Sequence, residues 1–149
     1  MTNPAQPFRP HDLASDDQTA RRRAALYSGS PYERQYSYAR AVAIGRHLWM
    51  SGTTGYDYPN DRLIAGAGPQ TTQIFDNARR VMAQAGFDLR HVVRVRIHIA
   101  DPADYDAVMD VYAQTFRGID PACTTVQAGL FDPEIRVEID MDAVLDDLA

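Results

Sequence analysis

Two stretches of alternating residues constrain this chain more than any other feature. Between Val92 and Ala100, the apolar Val93, Val95, Ile97 and Ile99 alternate with Arg94, Arg96 and His98. Between Ile135 and Met141, Ile135, Val137, Ile139 and Met141 alternate with Arg136, Glu138 and Asp140. Successive side chains of a strand point to opposite faces, so each stretch predicts a strand with one apolar and one charged face. Cys123 to Ala128 alternates as well, with Thr124, Val126 and Ala128 on one side and Cys123, Thr125 and Gln127 on the other. Tyr38 to Ile44 and Arg46 to Gly52 read as two further strands, a hairpin turning at Gly45.

Two helices accompany these strands. From about Thr71 to Ala85, the residues Ile74, Ala78, Val81, Met82 and Ala85 recur on one helical face, and Gly86 is a natural stop. A second helix starts with Asp101 as N-cap and Pro102 at its first position. Tyr105, Val108, Met109, Tyr112 and Phe116 form its apolar stripe, and Gly118 ends it. Two helices can cover one face of a sheet of four to six strands, but not both. The fold class expected is therefore α+β, a mixed sheet with both helices on one face. The other face would carry Arg94, Arg96, His98, Cys123, Thr125, Gln127, Arg136, Glu138 and Asp140. Such a face is either a wet surface or one packed against other subunits with its charges paired.

Residues 1–30 read as an N-terminal arm, and 31–149 as the folded domain. Pro4, Pro7 and Pro10 punctuate the arm's start. Ser15-Asp16-Asp17-Gln18 has the form of a capping box, so Thr19 to Leu26 is expected as a short helix carrying Arg21, Arg22 and Arg23. Ser28-Gly29-Ser30-Pro31 is expected as a turn, and 52–68 as a loop with a short extended piece near Arg62 to Ala65. A formal net charge of −5 argues against broad nucleic-acid binding, which needs a basic footprint. One cysteine permits no disulfide within the chain, and no apolar run approaches the roughly 18–20 residues of a membrane span. The polar, acidic start lacks the apolar stretch of a secretory signal, so a cytoplasmic protein is expected.

The order of these segments resembles a known family. Tyr38-Ala39-Arg40-Ala41-Val42-Ala43-Ile44-Gly45 followed by Leu48-Trp49-Met50-Ser51-Gly52 is similar to the opening hairpin of the Rid proteins. These are the reactive intermediate deaminases, also called YjgF-like and once described as endoribonuclease L-PSP. Ala85-Gly86-Phe87-Asp88-Leu89 with Val92-Val93 resembles the family's helix-to-strand turn. Asp104-Tyr105 through Phe116 resembles its second helix, and Pro121-Ala122 with Val137-Glu138-Ile139 its closing strands. The resemblance covers about residues 36–143. It implies a chorismate-mutase-like fold, a homotrimer with inward-facing sheets, and clefts between subunits that hydrolyse small enamines and imines without metal or cofactor.

The resemblance also implies roles for particular residues. The active-site tyrosine falls on Tyr38, the serine on Ser51, and the glutamate that positions the attacking water on Glu138. The arginine with which the deaminases hold a substrate carboxylate falls on Cys123, and a neutral thiol cannot make that bidentate pair. Met109 likewise stands where the deaminases often have asparagine. The chain thus looks like an arginine-lacking branch with altered specificity.

Each candidate has a plainer alternative. Glu138 either takes a proton from water or forms an inter-subunit ion pair with Arg94, Arg96 or Arg136. Cys123 is a small spacer, a pocket wall or a nucleophile. The last needs a base such as His98 or His47 beside it. Tyr38 caps the pocket or is simply a hairpin aromatic. Ser51 and Thr124 hold a carbonyl oxygen or bond locally. Trp49 and Phe131 line the cleft or pack in the core. Arg96, on the charged face, is a further candidate for substrate binding. No histidine pair has metal spacing. A non-catalytic binding trimer is the alternative function, and a ribonuclease a weaker one.

Overall fold

The computed structural model describes residues 22–146. Its elements are β1 (Arg23–Leu26), α1 (Pro31–Gln35), β2 (Ala41–Ile44), β3 (His47–Thr54), β4 (Tyr56–Asp57), β5 (Arg62–Leu63), α2 (Ala67–Ala83), β6 (Val92–Ile99), α3 (Tyr105–Phe116), β7 (Ala122–Gln127) and β8 (Val137–Val144). Six strands form one sheet in the order β1-β2-β3-β8-β6-β7, and β4 pairs with β5 alone. Only β6 and β7 run parallel; every other neighbouring pair in the large sheet is antiparallel. The chain is α+β, as its alternation requires.

The final strand is central. β8 lies between β3 and β6, and its residues alternate strictly between buried and half-buried. Val137, Ile139, Met141 and Ala143 are at most 1% exposed. They join Ala41, Ala43, Leu48, Met50, Val95, Ile97 and Ile99 on the covered face. Helix α2 closes this layer with Ile74, Phe75, Ala78, Val81 and Met82, and α3 with Val108 and Phe116. Phe75 and Phe116 meet edge to face at 5.3 Å, which locks the two helices together.

Several local expectations are corrected. Residues 23–26 are not the end of a helix. They form strand β1, whose Arg23 to Leu26 pair antiparallel with Ile44 to Ala41. The capping box, Thr19, Ala20 and Arg21 lie outside the described residues. A helical turn, α1, follows Ser30 with Pro31 at its first position, where the missing N–H costs nothing. Tyr38 precedes β2 rather than opening it. Helix α2 begins at Ala67, a turn before Thr71, and the Thr71 hydroxyl donates to the Ala67 carbonyl at 2.8 Å. Asp101 does cap a first turn, Pro102–Asp104, by accepting from the Ala103 amide.

Two strand faces also differ from expectation. The β6–β8 register shifts between Val92 and Arg94, so Val92 is buried and Val93 is exposed. In β7, Cys123 stands beside Val95, Thr125 beside Ile97 and Gln127 beside Ile99. These three residues therefore share the helix-covered side, and Thr124 and Val126 lie on the open side with Arg96 and His98. An edge strand with small polar residues on both faces carries no apolar stripe to set its phase. Tyr105, placed on the buried stripe of α3, is exposed near the helix start.

Candidate active site

The open side of the sheet is laid out in rows. Thr54, Glu138, His98 and Val126 stand side by side across β3, β8, β6 and β7. The next row holds Asp140, Arg96 and Thr124, and the third Trp49, Asp142, Arg94 and Ala122. Beyond the first row, a cavity of about 510 Å³ opens between the 30–40 segment, the end of β3, the β4–β5 turn and the loop before β8.

Glu138 lines this cavity. Its carboxylate makes no hydrogen bond or ion pair with any described residue. It reaches over Gly52, where an added Cβ would come within 2.9 Å of the Glu138 carboxyl carbon. Glycine is thus needed here so that the carboxylate can lie against the β3 backbone. The opposite wall is Tyr38 with Arg40. Arg40 is only 4% exposed and is held on three sides. Its Nε donates to Glu33 at 3.0 Å, Nη1 to the Gly52 carbonyl at 2.6 Å, and Nη2 to the Tyr38 hydroxyl at 3.2 Å. The guanidinium also lies 5.4 Å from the Tyr38 ring centre. Burial works against the Arg40 charge, but Tyr58, Tyr38 and Glu33 outweigh it, and the pKa sits above the ordinary arginine value.

Buried Glu33 completes this anchor. It accepts from Arg40 and from the Ser28 amide at 3.1 Å, so α1, the Tyr38 loop and the start of β2 are tied at one point. Gln70 does the same on the far side. Its amide donates to the Ile64 and Glu134 carbonyls and accepts from the Arg136 amide, which fixes the loop before β8. That loop presents Phe131, Asp132 and Ile135 to the cavity, and the β4–β5 turn presents Tyr56, Tyr58 and Asp61. Asp61 accepts from the Tyr56 hydroxyl at 2.7 Å, and this bond is the first cause of a raised Tyr56 pKa, followed by desolvation. The wall therefore carries aromatic rings, three carboxylates (Asp61, Asp132 and Glu138) and a single cation, Arg40, which is already paired.

The expected site residues thus divide. Glu138, Tyr38 and Phe131 come together around one cavity, with Phe131 fully exposed on its rim rather than in the core. Ser51 does not line the cavity. Its hydroxyl donates to the Ala39 carbonyl at 2.8 Å and its amide to the Arg40 carbonyl, so it staples β3 to the Tyr38 loop. Trp49 lies on the open face, stacked on His47 at 5.8 Å, neither in the core nor at the cavity. Arg96 is consumed by Asp140 and Asp142, and Thr124 is exposed beside it on β7. Cys123 is exposed on the helix side of that edge strand, near the Thr125 hydroxyl and the Tyr112 phenol, away from Glu138 in the same protomer. Arg40 and Glu33 were not foreseen. The one sequence hint was a basic residue two positions after Tyr38.

Comparison with known proteins agrees with this architecture. The family model described as Endoribonuclease L-PSP matches residues 30–145. An uncharacterised protein of Streptomyces coelicolor is 33% identical over 121 residues, 79% of this chain and 89% of that one. A 2-iminobutanoate/2-iminopropanoate deaminase of Capra hircus is 33% identical over 108 residues, 72% of this chain and 79% of the relative. The crystal structure of a Mycobacterium tuberculosis member of the YjgF/YER057c/UK114 family superposes with a TM-score of 0.76 at 34% identity, covering 83% of this chain and 100% of that one.

Proposed function

The chain belongs to the endoribonuclease L-PSP family, the YjgF or Rid proteins, and on that premise we propose that it is a cofactor-free hydrolase of small imines or enamines. The observation that carries this reading is the unpaired Glu138 carboxylate on the wall of a half-open, aromatic-lined cavity. A carboxylate without a competing cation can take a proton from water as the water attacks an imine carbon. The new C–O bond forms as the C=N bond becomes a C–N single bond. The carboxyl then hands this proton to the carbinolamine nitrogen, and the hydroxyl gives up its own proton to the carboxylate as the C–N bond breaks, leaving a carbonyl product and ammonia. Tyr38, oriented by Arg40, presents its hydroxyl from the opposite wall to orient the substrate. Ser51 supports this geometry by holding the Tyr38 loop.

The substrate we propose differs from that of the named imino-acid deaminases. Cys123 replaces the carboxylate-binding arginine, and the cavity's one cation is spent on Glu33. Three carboxylates on the wall disfavour a further anion. A neutral or protonated imine without a carboxylate suits this wall better than 2-iminopropanoate. The assembled state we propose is a homotrimer in the cytoplasm, where a lone cysteine stays reduced. Among the described residues no helix is long and apolar enough to cross a membrane.

The test is hydrolysis of imines released in solution by an amino-acid or amine oxidase, read as ammonia formed above the spontaneous rate. Carboxylate-free imines are expected to turn over faster than 2-iminopropanoate. Glu138→Gln is expected to cut the catalysed rate by about 10²-fold or more. Unchanged turnover in that variant removes Glu138 from the mechanism. Ligand binding with no product for any imine favours a non-catalytic binder instead.

A further inference from the structure

Three rungs cross from β6 to β8 on the open face: Arg94 opposite Asp142, Arg96 opposite Asp140, and His98 opposite Glu138. Side chains paired in this way across an antiparallel ladder are close enough to interact. The Arg96 rung is closed. Its Nε donates to Asp140, and Nη1 and Nη2 donate to Asp142 at 3.0 Å each. The third rung is open. Glu138 has no side-chain partner, and His98 Nδ1 is buried with no hydrogen bond. A buried polar nitrogen without a partner is rare and calls for a reason.

Within the protomer, the surroundings of His98 leave one charged group to answer it. From β8 it faces Glu138 directly and Asp140 in the next row, and Asp140 is taken by Arg96. Arg136, just before that strand, is held by Asp104. From β7 it faces Val126 and, in the next row, Thr124, neither of which is charged. On its own strand Arg96 is saturated by the two aspartates. His98 does not line the cavity. It stands beside the carboxylate, away from where a substrate would sit.

We propose that His98 and Glu138 form a proton-linked pair that switches the carboxylate between free and bound. With His98 neutral, Glu138 projects over Gly52 into the cavity and can accept a proton from water. With His98 protonated, the imidazolium closes the third rung as arginine closes the second, and Glu138 is withdrawn into an ion pair. His98 is thus a positioning residue, and histidine is the side chain whose charge most readily changes between mildly acidic and neutral conditions. The sign follows directly. Activity is lost on the acid side, as His98 gains its proton and binds the carboxylate. The kinetic consequence rests on the hydrolase reading; the pairing itself does not.

The pairing is tested by NMR titration of the histidine ring nitrogens in the full-length protein, with His98 assigned from the spectrum of His98→Gln. The His98 midpoint is expected to lie higher in the wild type than in Glu138→Gln by about half a pH unit or more, because an adjacent carboxylate favours imidazolium. Midpoints agreeing within about 0.2 unit overturn the pair, whatever the activity. The kinetic arm compares kcat/KM against pH for wild type and His98→Gln on one imine. The acid limb is expected to move down by about one unit or more. An unmoved limb overturns the switch. Should His98→Gln fail to fold, His98→Asn serves, and the wild-type and Glu138→Gln titrations still decide. A wild type without imine turnover sinks the hydrolase reading alone and leaves the titration as judge of the pair.

Discussion

Gly52 illustrates how one side chain's absence makes room for another's function. Any Cβ at this position collides with the Glu138 side chain. Gly52→Ala is therefore expected to keep the fold but displace the carboxylate, with about a 10²-fold loss in kcat/KM for any imine turned over by the wild type. Steady-state kinetics alongside circular dichroism separates that from unfolding. Tyr112 offers a second residue-level prediction. Desolvation, then its contact with Cys123, raises the phenol pKa well above the ordinary value. The folded pKa exceeds the unfolded one, so this contribution to stability is complete below about pH 10 and is lost as pH rises through the folded value. Chemical denaturation at pH 8 and at higher pH should show Tyr112→Phe losing less stability than wild type over that alkaline interval.

At the level of elements, the short helix α1 matters more than its five residues suggest. It exists to deliver Glu33 to Arg40, and through Arg40 to Tyr38 and the Gly52 carbonyl. Both partners of the Glu33–Arg40 pair are almost fully buried. Removing one leaves an uncompensated interior charge, so Glu33→Ala is expected to destabilise by about 3–5 kcal/mol in urea denaturation. The double variant Glu33→Gln, Arg40→Met should recover part of that loss while leaving Tyr38 without its orienting donor. Strands show the complementary lesson. β8 was readable because Val137, Ile139 and Met141 allow only one phase against the helices. β7 carries no such signal, because Cys123, Thr124 and Thr125 are equally tolerable on either face and only its register with β6 sets the outcome.

Over the whole molecule, the open face is the feature that asks for a partner. It combines exposed Ile44, Trp49 and Val126 with the Arg96–Asp140–Asp142 cluster. Exposed apolar groups rimmed by charge are typical of a surface that packs against another protein. If three copies meet there, sedimentation should give about three times the protomer mass, and Trp49→Glu should lower it toward one, because a carboxylate would replace buried indole. A wild type that sediments as a monomer at micromolar concentration would contradict the trimer. The edge strand β7 would then also meet a neighbouring copy, with Thr124 and Val126 on the open face.

Periodicity alone carried the α+β class, the two covering helices and the buried residues of β8, because a side chain's face follows from its position in a regular element and needs no distant contact. Glu138 and Tyr38, singled out by the resemblance, both line the cavity, Glu138 over Gly52 of β3 and Tyr38 against Arg40. What depended on tertiary structure was the pairing of segments far apart in the chain. Residues 23–26 became a strand because β2 offered an edge, although their local signal favoured a helix. Arg40 became part of the cavity wall because Glu33, Tyr38 and Gly52 converge on it from three segments. Arg96 is engaged by Asp140 and Asp142 because they lie across the ladder, more than 40 residues away in sequence. Local propensity is a property of a few neighbouring residues, whereas the fate of a charge is set by whichever opposite charge the completed sheet places beside it.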